Sequence, residues 1–361
     1  MERQTLAAVL EAPGRIVARE IPMPRVGPDE VLIAVHACGV CGSDLRYFAG
    51  GNPWAIHTLG TSKPNPPNMV LGHEIAGTIR EVGEGVDPGR VGERVVALAF
   101  RTCGRCPDCL RGNSHLCANT EHLGHGAGWE SLEFNPGGMS QYMTLWADKA
   151  IALPEGISFE EATMLDGLGV AVHAVDRTAL RRGDGVLILG SGPIGLCIAQ
   201  VAKARGAQPV ICSDVYPKAL ELARELGADH VVDGRTEEAA TVAREVTGGR
   251  GVDAVFESTG SAAVQMAAVS ALAPGGTCVF MAGVAEGVAL STRLLAGERS
   301  VTTAANFADG DIEEAIRLVA SGEVRVQPMI THRFALRDVA DAFALLAEKR
   351  ASDAFKAIIV P

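Results

Sequence analysis

Residues 186–195 read VLILGSGPIG, and this stretch decides the fold class of the chain. An apolar run, Val186–Leu189, leads into the glycine turn Gly190-Ser-Gly192-Pro193-Ile194-Gly195, after which a helical pattern begins. Glycines at this spacing allow a tight turn, a close backbone approach to a ligand, and close packing of a helix on a strand. Free N–H groups at the N-terminus of that helix suit phosphate oxygens. The stretch therefore predicts a dinucleotide-binding loop, and a strand-to-helix turn without a ligand is the alternative.

An acidic residue, Asp214, follows the next predicted strand at the distance where dinucleotide-binding folds place a ribose-binding carboxylate. A carboxylate accepts hydrogen bonds from a ribose diol and repels a 2′-phosphate, so Asp214 favours NAD(H) over NADP(H). The alternative is that Asp214 caps the following helix. Lys218 lies close enough along the chain to contact the adenosine ribose, with a solvated surface lysine as the alternative.

Strands alternate with helices from about residue 157 to residue 304. This alternation predicts a doubly wound parallel sheet, with strands at 186–189, 209–213, 230–233, 253–256 and 277–282 and helices at 194–205, 218–226, 236–246 and 262–272. The preceding residues contain short apolar runs between Gly, Pro and Asp, which predicts a β-rich region. Two amphipathic helices, Asp311–Ala320 and Leu336–Lys349, and a strand, Ala354–Val360, follow near the C-terminus.

The composition and charge disfavour several classes of function. The chain of 361 residues carries 32 Lys and Arg against 43 Asp and Glu, a formal net charge of −11. This balance disfavours nucleic acid and anionic membrane surfaces, because both need a basic face on the protein. The glycine turn interrupts the most apolar stretch, so no membrane-spanning helix is expected, and residues 1–15 show no long apolar run, so no signal sequence is expected. We expect a cytoplasmic protein whose nine cysteines form no disulfides.

Four cysteines, Cys103, Cys106, Cys109 and Cys117, lie within one short loop. Their C-x2-C-x2-C-x7-C spacing lets four thiolates close on one tetrahedral ion, with no open position for chemistry. The loop therefore predicts a structural zinc site. Iron–sulfur ligation and four unrelated buried cysteines are the alternatives.

A second set of metal-binding residue types lies in Cys38-Gly-Val-Cys41-Gly-Ser43-Asp44 and in Gly72-His73-Glu74. Together with the four-cysteine loop, the dinucleotide loop and Gly137-Gly-Met-Ser-Gln-Tyr142, these segments resemble the zinc-containing medium-chain alcohol and polyol dehydrogenases over essentially the whole chain. The resemblance implies an α/β protein of two domains. A GroES-like, partly open β-barrel catalytic domain is expected in residues 1–156 and 305–361, and a Rossmann dinucleotide-binding domain in residues 157–304.

The resemblance also implies the ligands of a second, catalytic zinc. By motif, Cys41 supplies the thiolate, His73 the imidazole, and Glu74 a carboxylate that either binds the zinc or lies just behind it. Polyol dehydrogenases have Glu-Pro-Leu where this chain has Asp166-Gly-Leu168, so Asp166 is the candidate for the remaining ligand, directly or through water. One thiolate and one carboxylate make a Zn²⁺ site formally neutral, which allows a bound alcohol to lose a proton near neutral pH.

Two neighbouring residues have implied roles in the reaction. Ser43 is the expected proton contact of the alcohol oxygen, and Asp44 orients the His73 ring, with a turn cap as the alternative for Asp44. Many relatives carry a histidine at the outer end of the proton relay, whereas this chain has Arg46, which stays protonated and cannot accept the proton. Arg46 is instead expected at the cofactor phosphate or an anionic substrate group, with a surface arginine as the alternative.

The implied activity is zinc-dependent hydride transfer between NAD(H) and a small molecule, a secondary alcohol or polyol or the matching ketone. A threonine-type 3-hydroxy amino acid dehydrogenase and a cyclitol dehydrogenase are alternatives within the class; a non-catalytic zinc- and NAD-binding protein is the alternative outside it. Tyr47 is an expected pocket wall, while His122 and His125 are expected in a solvent-exposed loop, with substrate contact as the alternative. An exposed edge strand near Thr277–Val284 favours a homodimer or homotetramer.

Overall fold

The structure is a computed structural model that describes residues 3–126, 129, 132–283, 287–348 and 353–361. The chain divides into two compact units: Met1–Asp166 with Ile330–Pro361, and Gly167–Met329. The sequence predicts domain boundaries at 156/157 and 304/305, whereas the two compact units divide at 166/167 and 329/330. Residues 305–329 belong to the second unit because the helix Asp311–Ala320 buries its apolar face there.

A six-stranded parallel sheet forms the centre of the second unit. Its strands in chain order are Val186–Leu189, Val210–Asp214, His230–Asp233, Val252–Glu257, Leu272–Phe280 and Ser300–Thr303. Their spatial order is third, second, first, fourth, fifth and sixth, as in doubly wound dinucleotide-binding sheets. The strand order reverses between the first and fourth strands, and such sheets bind ligands at the carboxyl ends of the strands at this point.

The predicted helices of this unit are confirmed close to their expected bounds. They are Pro193–Ala204, Pro217–Glu225, Ala239–Val246, Ala262–Ser270 and Asp311–Ala320, and a 3₁₀ turn follows at Gln327–Met329. The helix Leu165–Asp176 begins at the boundary between the units. Apolar residues on these helices pack against the sheet, and the core includes Leu187, Ile211, Val255 and Ala243.

The prediction that the edge strand of the sheet lies near residues 277–284 is wrong. Leu272–Phe280 pairs with Val252–Glu257 on one side and with Ser300–Thr303 on the other, so Ser300–Thr303 is the edge strand. The sequence of this outer strand, SVTT, is rich in β-branched residues, which favour extended backbone. Val284 itself lies outside the described residues.

The first unit contains the β-rich region and the C-terminal strand. Its largest sheet has the spatial order Ala150–Ala152, Arg94–Ala97, Glu74–Val82, Glu30–Gly39, Lys356–Val360 and Ile330–Ala335, and Tyr142–Trp146 also pairs with Glu30–Gly39. A smaller sheet joins Arg15–Pro22, Gln4–Ala12 and Met69–Val70, and a two-stranded ladder joins Phe100–Arg101 and Glu121–His122.

Short helices flank these sheets. They are Gly42–Phe48, Pro53–Leu59, Pro107–Leu110, Phe159–Ala162 and Val339–Ala347, with 3₁₀ turns at Pro88–Arg90, Ser114–Leu116, Ala147–Lys149 and Leu336–Asp338. The last helix confirms the predicted amphipathic segment, of which Lys349 lies outside the described residues. Phe343 on this helix packs in one core with Ile33 and Ile75 of the sheet. The described residues include no helix that is long and apolar enough to cross a lipid bilayer.

Candidate metal and dinucleotide sites

The candidate ligands Cys41, His73 and Glu74 meet where neighbouring strands of the first unit end. The strand Glu30–Gly39 ends just before Cys41, and Glu74 is the register partner of Gly39. One ligand atom from each of the three side chains lies within 4.8 Å of the other two. A Cβ at position 39 would overlap the Glu74 carboxylate, so glycine there lets the carboxylate approach. Sulfur, nitrogen and oxygen donors in this arrangement suit zinc.

Asp44 is completely buried and connects the two ligand-bearing segments. Its Oδ2 accepts a hydrogen bond from the Cys41 backbone N–H (2.8 Å), and its Oδ1 accepts one from the Gly72 N–H (3.2 Å). Oδ1 is 3.9 Å from Nδ1 of His73, which is too far for a hydrogen bond. Burial raises the pKa of Asp44. Asp44 therefore caps its helix and fixes the backbone on both sides of the site.

The imidazole of His73 is also buried, and its Nδ1 has no hydrogen-bond partner among the described residues. Burial alone would lower the pKa of His73. The opposing effects of the Cys41 charge and hydrogen bond, and of the Asp44 and Asp166 charges, raise it well above its ordinary value. The negative groups around this ring thus provide a favourable environment for a cation.

A buried ion pair between Lys356 and Glu74 is the main feature of this site that sequence reasoning missed. Each residue is only 4% exposed, and Nζ of Lys356 contacts Oε2 of Glu74 and donates to the Val40 carbonyl (3.1 Å). Burial would lower the pKa of Lys356, but the Glu74, Cys41 and Asp44 charges and the hydrogen bond to Glu74 together outweigh it and raise the pKa. Lys356 begins the last strand, whose partner, Glu30–Gly39, leads to Cys41.

Asp166 lies near the three donors but is not part of that close group in the described chain. It is the second residue of the helix Leu165–Asp176. Burial raises its pKa to about 6, and its charge interacts with those of His73 and Glu74. This position favours an indirect contribution over direct ligation.

Ser43 and Arg46 differ in their environments. The Oγ of Ser43 is buried and has no hydrogen-bond partner in the part of the chain that the structure describes. An unsatisfied buried hydroxyl of this kind is suited to bind a ligand oxygen. Arg46, on the same helix, is exposed.

The expectation of a solvent-exposed loop for His122 and His125 is wrong, because both rings pack beside His73. The ring centroids are 5.8 Å apart for His73 and His122, 4.5 Å for His73 and His125, and 4.1 Å for His122 and His125. His122 is buried and His125 is half-buried. Burial lowers the pKa of His122 to about 3, so its ring is neutral near pH 7. Tyr47 is completely buried, and burial raises its pKa to about 12.

The four cysteines of the short loop are close enough to share one ion. The Sγ atoms of Cys106 and Cys109 are 3.5 Å apart, those of Cys106 and Cys117 are 3.8 Å apart, and those of Cys117 and Cys103 are 3.5 Å apart. All nine cysteines are free. Backbone N–H donors, that of Arg105 foremost, lower the pKa of Cys103 to about 6, which favours the thiolate that a metal requires.

The glycine loop of the second unit has the geometry expected of a dinucleotide-binding turn. Gly190 has φ +92°, a left-handed conformation that favours glycine. A Cβ at Gly195 would overlap the Gly190 carbonyl, so this glycine allows close packing of helix and strand. The space beside Gly192, where a Cβ would lie, is open. Pro193 and Ile194 then form the first turn of the helix.

Asp214 and Lys218 follow the next strand. The Asp214 carboxylate accepts hydrogen bonds from the backbone N–H groups of Ser191 (2.7 Å), Val215 (2.7 Å) and Tyr216 (3.0 Å). Two carboxylate oxygens offer about four acceptor sites, so capacity for a ribose hydroxyl remains. Lys218 instead pairs with Glu221 on its own helix (2.8 Å).

The segment Glu257-Ser258-Thr259-Gly260 also borders the glycine loop, although sequence reasoning gave it no role. Oγ of Ser258 donates to the Gly190 carbonyl (3.0 Å), and the buried Glu257 accepts from the backbone N–H of Thr259 (2.6 Å) and Gly260 (3.1 Å). The segment lies at the carboxyl end of the fourth strand, beside the point where the strand order reverses. Ligands of doubly wound sheets bind at this point, so the segment's place directly after a predicted strand could have indicated it from the sequence.

Comparison with known families assigns the chain to a class. The alcohol dehydrogenase GroES-like domain matches residues 27–155, and the zinc-binding dehydrogenase domain matches residues 193–321. The chain therefore belongs to the zinc-containing medium-chain alcohol and polyol dehydrogenase family. This assignment confirms the expected fold class, a GroES-like domain with a Rossmann domain.

Individual relatives cover nearly the whole chain. A sorbitol dehydrogenase of Bacillus subtilis is 33% identical over 93% of this chain and 92% of its own length. An L-threonine 3-dehydrogenase of Rhizobium johnstonii is 33% identical over 90% of this chain and 89% of its own. The crystal structure of 2R,3R-butanediol dehydrogenase from Bacillus subtilis has a TM-score of 0.85 and 28% identity, and covers 99% of each chain.

The predicted enzyme class is thus confirmed. The chain is an oxidoreductase that uses zinc and a nicotinamide dinucleotide to interconvert a small-molecule alcohol or polyol and its carbonyl product.

Proposed function

We propose that this enzyme oxidises a secondary alcohol group of a diol or polyol with NAD⁺, and reduces the matching ketone with NADH. The convergence of Cys41, His73 and Glu74 within 4.8 Å carries the proposal. The similarity to sorbitol and butanediol dehydrogenases supports a polyol or diol as the substrate. Similarity to threonine dehydrogenases supports a 3-hydroxy amino acid as the second candidate.

The residues present fit a zinc ion. Thiolate, imidazole and carboxylate donors converge, and glycine at position 39 keeps the carboxylate position open. A bound zinc supplies a Lewis acid that lowers the pKa of an alcohol. Cys41, His73 and Glu74 would hold it, and Lys356 balances the Glu74 charge. The four-cysteine loop would hold a second, structural ion.

The remaining residues of the proposed site transfer the substrate proton and bind the cofactor. Ser43 accepts a hydrogen bond from the substrate hydroxyl through its unpartnered Oγ and, as the alcohol loses its proton, passes its own proton outward through the ribose hydroxyl to water. Asp166 acts through a water molecule, because it stands outside the close donor group. Gly190, Gly192 and Gly195, with the first turn at Pro193 and Ile194, bind the pyrophosphate. Asp214 binds the adenosine ribose.

An absorbance assay tests the proposed function. NADH formation is followed with sorbitol, 2R,3R-butanediol, a cyclitol and L-threonine, with and without a chelator. We expect turnover of a diol or polyol that the chelator abolishes. Preferential turnover of threonine would favour the second candidate. Absence of turnover with every alcohol, despite bound zinc and NAD, would contradict the proposal and favour a non-catalytic protein.

Replacing Asp214 by alanine is expected to relax the preference for NAD⁺. The substitution removes an acceptor for the ribose diol and the charge that repels a 2′-phosphate, so the NAD⁺/NADP⁺ ratio of kcat/KM should fall by about tenfold or more. Asp233→Ala is the matched control, since Asp233 ends the neighbouring strand and binds Arg235. An unchanged ratio in Asp214→Ala would argue against the ribose contact.

Cys103→Ser and Cys117→Ser are each expected to lower the thermal stability and the zinc content of the protein. Loss of one ligand weakens the binding of the metal, and the free energy of that binding contributes to folding. We expect the thermal midpoint to fall by roughly 5–10 °C and bound zinc to drop from two ions to one, by elemental analysis. Cys278→Ser, at a buried cysteine outside both metal sites, is the control. Unchanged zinc content would contradict the structural site.

We also propose a homodimer or homotetramer in the cytoplasm. The edge strand Ser300–Thr303 has one unpaired side in the described sheet, and such an edge is a template for pairing with a second copy. Nine free cysteines fit a reducing compartment. A monomeric mass by light scattering would contradict the assembly.

A further inference from the structure

His125 offers a second polar contact beside the proposed metal site. Its ring centroid is 4.5 Å from that of His73, yet neither His125 nor His122 belongs to the close donor groups of the described chain. This packing places the His125 ring directly beside a proposed zinc ligand. The protonation of its two ring nitrogens therefore bears on which substrate the site accepts.

The hydrogen bonds of Tyr47 determine which nitrogen of His125 carries the proton. The Tyr47 hydroxyl accepts from the backbone N–H of Gly126 (3.1 Å) and of Trp54 (3.4 Å). A hydroxyl has two acceptor positions and one proton. With both acceptor positions in use, it donates its proton, and Nδ1 of His125 is the nearer acceptor at 3.1 Å, against 3.4 Å for Oδ1 of Asn52.

Two observations support this direction. Oδ1 of Asn52 already accepts a hydrogen bond from the Ala55 N–H (3.0 Å). The rings of Tyr47 and His125 meet edge-on with their centroids 5.3 Å apart, so the two side chains are in direct contact. Nδ1 of His125 is therefore an acceptor, and the neutral ring carries its hydrogen on Nε2. Nε2 makes no hydrogen bond to any residue that the structure describes.

We propose that His125, positioned by Tyr47, donates an Nε2–H hydrogen bond to the hydroxyl next to the reacting one and so selects vicinal diols and polyols. This inference rests on the proposed function and assigns to His125 the recognition of the second hydroxyl of the substrate. A hydroxyl oxygen can accept this bond. The ammonium of a 3-hydroxy amino acid, which has only donors, cannot, and the single hydroxyl of a simple secondary alcohol leaves the donor unused.

His122 provides a matched control because it shares the ring cluster but not this role. Its Nδ1 lies 3.0 Å from the Leu123 carbonyl, and its backbone carbonyl accepts from Nε1 of Trp129 (2.8 Å). The ring is buried and packs against Phe100, with centroids 5.7 Å apart. His122 is therefore a packing residue.

The test compares His125→Phe, Tyr47→Phe and His122→Phe with the natural protein, each loaded with zinc. Steady-state kcat/KM is measured with 2R,3R-butanediol and sorbitol, and with sec-butanol, which lacks the second hydroxyl. In the natural protein we expect diol or polyol turnover above that of sec-butanol and of L-threonine. His125→Phe keeps an aromatic ring at this position and removes the hydrogen-bond donor. The kcat/KM for the diol or polyol should therefore fall about tenfold, while the kcat/KM for sec-butanol stays within about twofold.

Tyr47→Phe should shift the diol-to-monohydric ratio in the same direction by a smaller factor, because the His125 ring loses the hydroxyl that fixes its tautomer. His122→Phe should leave the ratio unchanged. Equal losses on both substrate types in His125→Phe, or no loss on either, would overturn the inference while leaving the proposed function standing. Better turnover of threonine than of any diol would also overturn it. No turnover of any alcohol by the natural protein would overturn the proposed function and this inference with it.

Discussion

Replacing Cys41 by serine is expected to abolish alcohol oxidation while leaving dinucleotide binding intact. Cys41 supplies the only sulfur donor of the proposed catalytic metal site in the described chain, and a serine hydroxyl is a far weaker ligand for zinc. The Lewis acid contributes several kcal/mol to such reactions, and 1.36 kcal/mol corresponds to a tenfold change in rate. We therefore expect kcat/KM to fall by at least about 1,000-fold.

The same unit offers a close control for this substitution. Cys38 lies in the strand Glu30–Gly39, three residues before Cys41, and is completely buried, but it is not among the grouped donors. Cys38→Ser should retain a bound zinc at Cys41 and most of its activity. NADH fluorescence on binding should be preserved in both variants, because the glycine loop belongs to the other unit. Normal turnover by Cys41→Ser would remove the proposed role of the thiolate.

Substituting Lys356 by methionine is expected to destabilise the protein more than any surface substitution. The change leaves the Glu74 carboxylate buried without its partner, and breaking a buried ion pair in this way costs about 3–5 kcal/mol. Urea unfolding measures the loss, with a chelator in every sample so that metal does not compensate the carboxylate.

Two further variants separate the lost pair from a general loss of charge. Arg333→Met breaks the Arg333–Glu160 pair, in which the arginine side chain is 44% exposed, and should cost about 1 kcal/mol or less. The double variant Glu74→Gln/Lys356→Met removes both buried charges and should recover much of the stability. A cost for Lys356→Met no larger than that for Arg333→Met would contradict the buried pair.

The dinucleotide domain was largely predictable because its pattern is local. The strand Val186–Leu189 is a continuous apolar run, and the glycines that follow it require the turn that the structure shows. The amphipathic pattern also predicted the helix Asp311–Ala320 with the bounds that the structure shows. Its membership of the second unit depends instead on which surface its apolar face buries, which periodicity alone does not determine.

The candidate metal site shows the complementary limit. Motif spacing identified Cys41, His73 and Glu74, but Lys356 lies in a strand that looks apolar and reaches the site only through sheet pairing far along the chain. The histidine cluster has the same cause, since the sequence places His122 and His125 in a loop and only the fold packs them beside His73. Long-range pairing is the information that local patterns lack.

An anomalous-difference X-ray map of the zinc-loaded protein at the zinc edge tests whether Cys41 and His73 hold a metal ion together. We expect two peaks per chain: one about 2.3 Å from Sγ of Cys41 and about 2.0–2.1 Å from a ring nitrogen of His73, and one among the four cysteines. If the Cys41 and His73 side chains lie far apart and the zinc-loaded protein shows no anomalous peak between them, the proposed catalytic metal site is contradicted.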